Sequence, residues 1–167
     1  MSEIRTNKKA VGGSRGYSLV ELLVVLGLAA TIVAIGVPAL IGQMNHLRLT
    51  RSVRDMSVEL NAARLKAIAQ NKRYRVRFTL SAAPTVDTYR LQYYDDPSIS
   101  WLDETTHATK EVEPGIDIVS PGASFDVEFW PQGRGTDTEI CVQYTASDKM
   151  TVDVELAMGR VTIENGC

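Results

Sequence analysis

The chain has 167 residues, a net charge of −2 and 44% hydrophobic residues. That is room for one modest domain plus an anchor, and too little for several domains. Two cysteines and two scattered histidines exclude a recognisable metal-binding framework, and the near-neutral balance by itself points to no partner.

Met1–Gly16 is basic and glycine-rich, with Arg5, Lys8, Lys9 and Arg15. It runs straight into an apolar segment, Tyr17–Leu26, that holds one acid, Glu21. A lone carboxylate in hydrocarbon costs about 2.5–3.5 kcal/mol or more, so a segment serving only as an anchor would avoid it. Glu21 suggests a segment that leaves the bilayer, or one that meets a partner charge inside a polymer. Leu22–Gly42 carries no charge, and its 21 residues suffice to cross a hydrocarbon core of about 30 Å at a rise of about 1.5 Å per residue. The stretch is longer than a secretory h-region of roughly 7–15 residues. A small-x-small site at Ala34-Ile35-Gly36 would leave Gly16 and Glu21 unexplained. The basic residues before the span argue for a cytoplasmic N-terminus, and Arg48, Arg51 and Arg54 after it argue weakly the other way.

Tyr17 to about Asn71 reads as one long helix, apolar almost all round in its first half. Pro38 has no N–H and clashes with the preceding turn, so a kink or local unwinding is expected there. In the second half Val53, Met56, Leu60, Ala63 and Ala67 recur at spacings of three and four, the mark of an amphipathic stem. Arg51, Arg54, Glu59 and Lys66 fall off that stripe.

Beyond Asn71 the period changes to two. Tyr74, Val76, Phe78 and Leu80 alternate with polar residues, and Tyr89, Leu91 and Tyr93 form a second strand, with a loop over 83–87. The segment 95–115 reads as polar and irregular. Further strands are expected at 116–119, 125–129, 139–144, 150–156 and 160–164, with turns at 131–135, 147–149 and 158–159. Each late strand has one apolar and one polar or acidic face, so one sheet face should pack on the stem. Charge is divided too: Arg48–Arg77 holds nine basic and two acidic residues, Phe78–Cys167 five basic and sixteen acidic.

No catalytic set is visible. His46 and His107 stand alone, and there is no phosphate-binding glycine loop. Asp95, Asp96, Asp103 and Glu104 fit a solvated loop better than a calcium site. No metal or cofactor is called for. Cys141 and Cys167 could form a disulfide outside the cytoplasm, or remain two separate thiols. A bridge needs Cα atoms within about 7 Å, so the tail would have to curl back from the third strand of the late meander to the first. Arg64, Lys66, Lys72, Arg73, Arg75 and Arg77 invite a nucleic-acid reading, which the acidic head opposes.

The run Gly16-Tyr17-Ser18-Leu19-Val20-Glu21 ahead of an apolar span resembles the type IV prepilin signature. The resemblance implies cleavage after Gly16 by a prepilin peptidase and methylation of the new terminus, Tyr17, by the same enzyme. The family's usual residue there is Phe, so Tyr17 departs from the pattern but keeps the ring. Glu21 would be the assembly residue, paired with the terminal amine of a neighbouring subunit. Asn61–Arg73, the turn Phe129-x-Pro131-x-Gly133 and Gly159-Arg160-Val161 resemble the GspH/FimT family, the minor pseudopilin H of type II secretion and the minor fimbrial pilin T. The implied fold is α+β, a long helix packed on an antiparallel β-sheet head. The implied organisation is a leader (1–16), a membrane or filament-core helix (17–42), a stem (43–72) and a head (73–167).

The implied function is that of a filament subunit, not an enzyme, anchored in the bacterial inner membrane with its head outside the cytoplasm. Its partners would be lipid, other pilins and the inner-membrane assembly machinery. Some FimT-like proteins bind DNA through Gly-Arg-x-Arg; here Gly159-Arg160-Val161-Thr162 keeps only Arg160. DNA uptake is therefore the second reading, and the sequence leaves secretion system and pilus open.

Overall fold

A single helix, α1 (Leu19–Gln70), precedes nine strands: β1 (Tyr74–Thr79), β2 (Thr88–Asp95), β3 (Ser100–Asp103), β4 (Lys110–Glu111), β5 (Asp117–Ser120), β6 (Phe125–Phe129), β7 (Thr138–Thr145), β8 (Asp148–Val154) and β9 (Val161–Asn165). The computed structural model describes residues 18–82 and 85–167, with backbone alone at 38–41. The chain divides into two units, Met1–Leu40 and Ile41–Cys167.

In the first unit α1 opens with Leu22 N–H donating to the Ser18 carbonyl at 3.1 Å. Glu21 is the third helical residue, where the free N–H groups of the first turn favour a carboxylate. The large apolar side chains from Leu19 to Ile35 are all exposed. α1 continues as helix through Gly36 and Pro38, so neither residue ends it.

In the second unit the stem buries Leu49, Val53, Met56, Leu60, Ala63 and Ala67 completely. That is the stripe read from the sequence, extended by one turn at Leu49. The helix ends where Asn71 turns to φ 52° and Lys72 N–H donates back to the Ala67 carbonyl at 3.3 Å. This is a left-handed cap that closes the last carbonyls.

The head holds two antiparallel sheets where the sequence suggested one. The first has strand order β3-β2-β1-β6, with β4 also on β2; the second has order β5-β7-β8-β9. The cause is β6, which leaves the late meander and pairs with β1. In that register Phe78 meets Phe125 on one side and Tyr89 on the other. The rings stack at 4.7 and 5.5 Å between centroids, and Val76 and Tyr74 repeat the arrangement along the strand. Their inner faces and that of the second sheet (Ile118, Ile140, Val142, Met150, Val152 and Val154) join the stem stripe in one core.

The segment 95–115 is not irregular throughout. It contains β3 and β4, too short and polar to show a period, which pair with β2 along one edge.

Candidate functional site

Of the prepilin residues, Gly16 and Tyr17 lie outside the described residues. Glu21 is exposed and, among the described residues, has no ion-pair partner. It stands at the head of the apolar half of α1, whose membrane-length apolar window is left uncovered by the described residues. Eleven large apolar side chains between Leu19 and Ile35 are more than half exposed. Each would gain about 1.5–3 kcal/mol on leaving water, so this segment demands a lipid or protein environment. By length and composition α1 can cross a membrane.

The stem is gripped by the head through a polar seam that the sequence reading missed. Asn45 Nδ2 donates to Tyr144 Oη at 2.7 Å, and Ser52 Oγ accepts from Glu113 N–H at 3.3 Å. Glu59 Oε1 faces His107 Nδ1 at 2.8 Å and its Oε2 faces Lys110 Nζ at 2.9 Å. Lys66 Nζ reaches Glu104 at 3.3 Å and Thr106 at 3.2 Å. These stem positions are seven residues apart, two helical turns, so they lie on one face beside the apolar stripe.

Glu59 was expected off the buried stripe, yet it is 2% exposed. It is not solvated because Lys110, the first residue of β4, supplies the countercharge and His107, in the strap between β3 and β4, a hydrogen bond. A carboxylate oxygen accepts, so His107 carries its proton on Nδ1. His107 therefore does not stand alone, and neither does His46, whose Nδ1 is 3.1 Å from Asp148. The seven-residue spacing of polar stem residues was the available signal; their partners could not be found without the fold.

At one end of the seam the single Tyr74 hydroxyl proton is shared between two acceptors, Gln70 Oε1 at 2.8 Å and Glu104 Oε2 at 3.1 Å. Burial, then this bond and the Glu104 charge, push the Tyr74 phenol up to about 12. Burial raises the Glu104 carboxyl, but bonds from Thr106, Tyr74 and Lys66 outweigh it and bring it below its usual range.

Cys141 and Cys167 are joined, with Cα atoms 5.9 Å apart. Cys141 lies on the outer face of β7, opposite Thr151 of β8. The tail reaches it by folding over β8. Gly166 turns at φ 84°, its N–H donates to Lys149 at 2.9 Å, and its carbonyl accepts from Thr151 Oγ1 at 2.6 Å. The tail thus covers Cys141 and Thr151, both buried on an otherwise polar face. Beside it a shallow cleft of about 580 Å³ brings His46 and Asp148 together. Ser147 Oγ there faces Thr145 at 3.3 Å, not His46, so the group is not a nucleophile with its base. Among the described residues no cluster of His, Cys, Asp and Glu is placed to hold a metal. Asp103 is engaged by Arg90 and Gln92, and Glu104 by Lys66 and Tyr74.

Part of the basic run is engaged within the head. Arg75 is 8% exposed, bonded to Asp126 and Gln92 at 2.8 Å and stacked on Trp101 at 4.3 Å. Arg73 stacks on Tyr94 at 4.0 Å, and Arg160 Nε lies 3.5 Å from Glu155. Arg75 and Arg73 thus serve the packing of the head, whereas the Arg160 side chain stays 66% exposed.

The two late glycine motifs meet. Gly159 packs on the Pro131–Gly135 turn so closely that a Cβ on Gly159 would lie 2.5 Å from the Gly133 carbonyl oxygen. Gly135 N–H donates to Leu156 at 3.1 Å across the same contact. With this geometry in place, the fold is similar to that of two structures of the minor pseudopilin EpsH of the type II secretion system of Vibrio cholerae. They match with TM-scores of 0.54 and 0.55, over 71% and 72% of this chain and 97% and 96% of theirs. The chain has a minor-pseudopilin fold. Sequence identity is 8% and 12%, so the pseudopilin likeness is one of fold. No family model and no curated protein sequence matches the chain.

Proposed function

We propose that this chain is a minor pilin or pseudopilin, a structural subunit of a type II secretion pseudopilus or a type IV pilus. The observation that carries this reading is an uncovered apolar helix, bearing one carboxylate in its first turn, on a chain with a pseudopilin fold. The precursor is inserted in the inner membrane with its leader inside and its head outside. A prepilin peptidase cuts between Gly16 and Tyr17 and methylates Tyr17. The apolar half of α1 then exchanges lipid for neighbouring helices, two surroundings of similar polarity, so the transfer carries little hydrophobic penalty. Glu21 sets the register by pairing with the Tyr17 amine of the adjacent subunit, because a charge left unpaired in that interior is strongly penalised. The assembly machinery supplies direction. The protein acts as a structural subunit and as a substrate of the processing enzyme.

Mass spectrometry of the N-terminus of protein isolated from cells tests the first step. A methylated Tyr17 is expected, and a chain still beginning at Met1 would overturn it. Glu21→Val should insert and be cut normally yet be absent from sheared filaments on an immunoblot; normal incorporation would remove Glu21 from its role.

A further inference from the structure

The stem and the second sheet each carry a like-charged pair without an ion-pair partner among the described residues. On the sheet, Glu139 of β7 stands directly opposite Asp153 of β8 on the outer face. Like charges directly opposite one another across strands are destabilising, and such pairs sit about 4.5–5.5 Å apart at Cβ. On the stem, Arg51 and Arg54 are both exposed on the side of α1 away from the core stripe. Residues three apart on a helix are neighbours at about 5–6 Å, and like charges there repel as well. Among the described residues none of the four makes an ion pair; Asp55, beside Arg54, reaches neither arginine. Leu47, Val58 and Leu65 continue the same stem face and are 56%, 61% and 63% exposed.

We propose that this stem face docks onto the outer face of the second sheet of another copy of the chain, Arg51 and Arg54 meeting Glu139 and Asp153. The two pairs are opposite in sign and matched in spacing, so one contact relieves both repulsions. Leu47 and Val58 flank the arginines and are shielded from water by it. The surfaces differ, so the contact is head-to-tail, and it repeats from copy to copy instead of closing on itself. It rests on the filament reading only for the reason why copies meet.

Sedimentation of the full chain in detergent micelles tests it. Self-association is expected at low salt and should be lost near 1 M salt, where the Debye length falls to about 3 Å. Arg51→Glu/Arg54→Glu and Glu139→Arg/Asp153→Arg should each weaken it about tenfold or more. Mixing the two variants, or combining all four changes, should restore it. Thiol titration, showing Cys141 and Cys167 still unavailable, verifies that each variant is folded. Monomers at every salt concentration would overturn the proposal. So would association indifferent to reversal, which would assign it to the apolar residues, or failure of the mixture to recover. None of these results bears on whether Tyr17 is the mature terminus, so the filament reading stands or falls separately.

Discussion

Glu59 is a carboxylate sealed under the head, and removing its two partners should be worse than removing all three residues. Glu59 is 2% exposed, whereas the His107 and Lys110 side chains are 26% and 38% exposed. The Lys110 ammonium and the His107 ring can return to water; the buried carboxylate cannot. His107→Leu with Lys110→Met therefore leaves an uncompensated buried charge, a loss of about 3–5 kcal/mol. For a head of this size that lowers the melting temperature by roughly 10–20 °C. Adding Glu59→Leu replaces the ionic group by an apolar one beside Met56 and Leu60. Such replacements are commonly neutral or stabilising, so the triple variant should recover about 2 kcal/mol or more of the loss. Urea unfolding of the full chain in micelles, followed by the fluorescence of Trp101 and Trp130, gives the comparison. A triple variant as unstable as the double, or more so, would refute the reasoning. The strap would then act by packing, not by compensating charge.

Breaking the Cys141–Cys167 bridge, with serine at both positions, should cost about 3.5 kcal/mol in the chain-entropy account for a separation of 26 residues; an unchanged urea midpoint would contradict this. Tyr74 keeps its proton in the folded chain up to about pH 12, while the unfolded chain releases it near 10. The folded state therefore binds more protons between those values, and stability should fall as pH rises through that window, by about 2–3 kcal/mol. Tyr74→Phe should flatten the fall in urea midpoints measured from pH 9 to 11.5, with the buried Tyr89, also raised, leaving a remainder. Gly159→Ala puts a side chain at φ 57° against backbone and should cost at least about 2 kcal/mol. Gly122→Ala, whose Cβ would meet nothing nearer than 4.0 Å, should be close to neutral; equal thermal shifts for the two would show that the glycine contact is not what matters.

The long-period features of this chain were legible without a structure. The stem stripe follows from one face of a helix meeting a core, and the alternation at Tyr74–Phe78 and Tyr89–Tyr93 follows from a half-buried sheet. Both depend on neighbours in sequence. What was not legible depends on neighbours in space. Glu59 fell off the apolar stripe, and the partners that bury it lie 48 and 51 residues away, at His107 and Lys110. The split into two sheets depends on β6 choosing β1, a choice made by the rings of Phe125 and Phe78 and invisible in β6 alone. β3 and β4 are held by β2 and would have no reason to be strands without it. Cys141 faced outward by its own alternation, and only the fold of Gly166 over β8 brings Cys167 to it.

The seven-residue seam has a mechanical consequence. Asn45, Ser52, Glu59 and Lys66 are loaded side by side when the stem is pulled along its axis, so their bonds share the load and yield together. A slip by one helical turn, about 5.4 Å, would carry Glu59 away from Lys110 and put Ala62 or Ala63 in its place. The head is consequently a rider locked to its rail: traction on the stem moves the head with it, and does not slide beneath it.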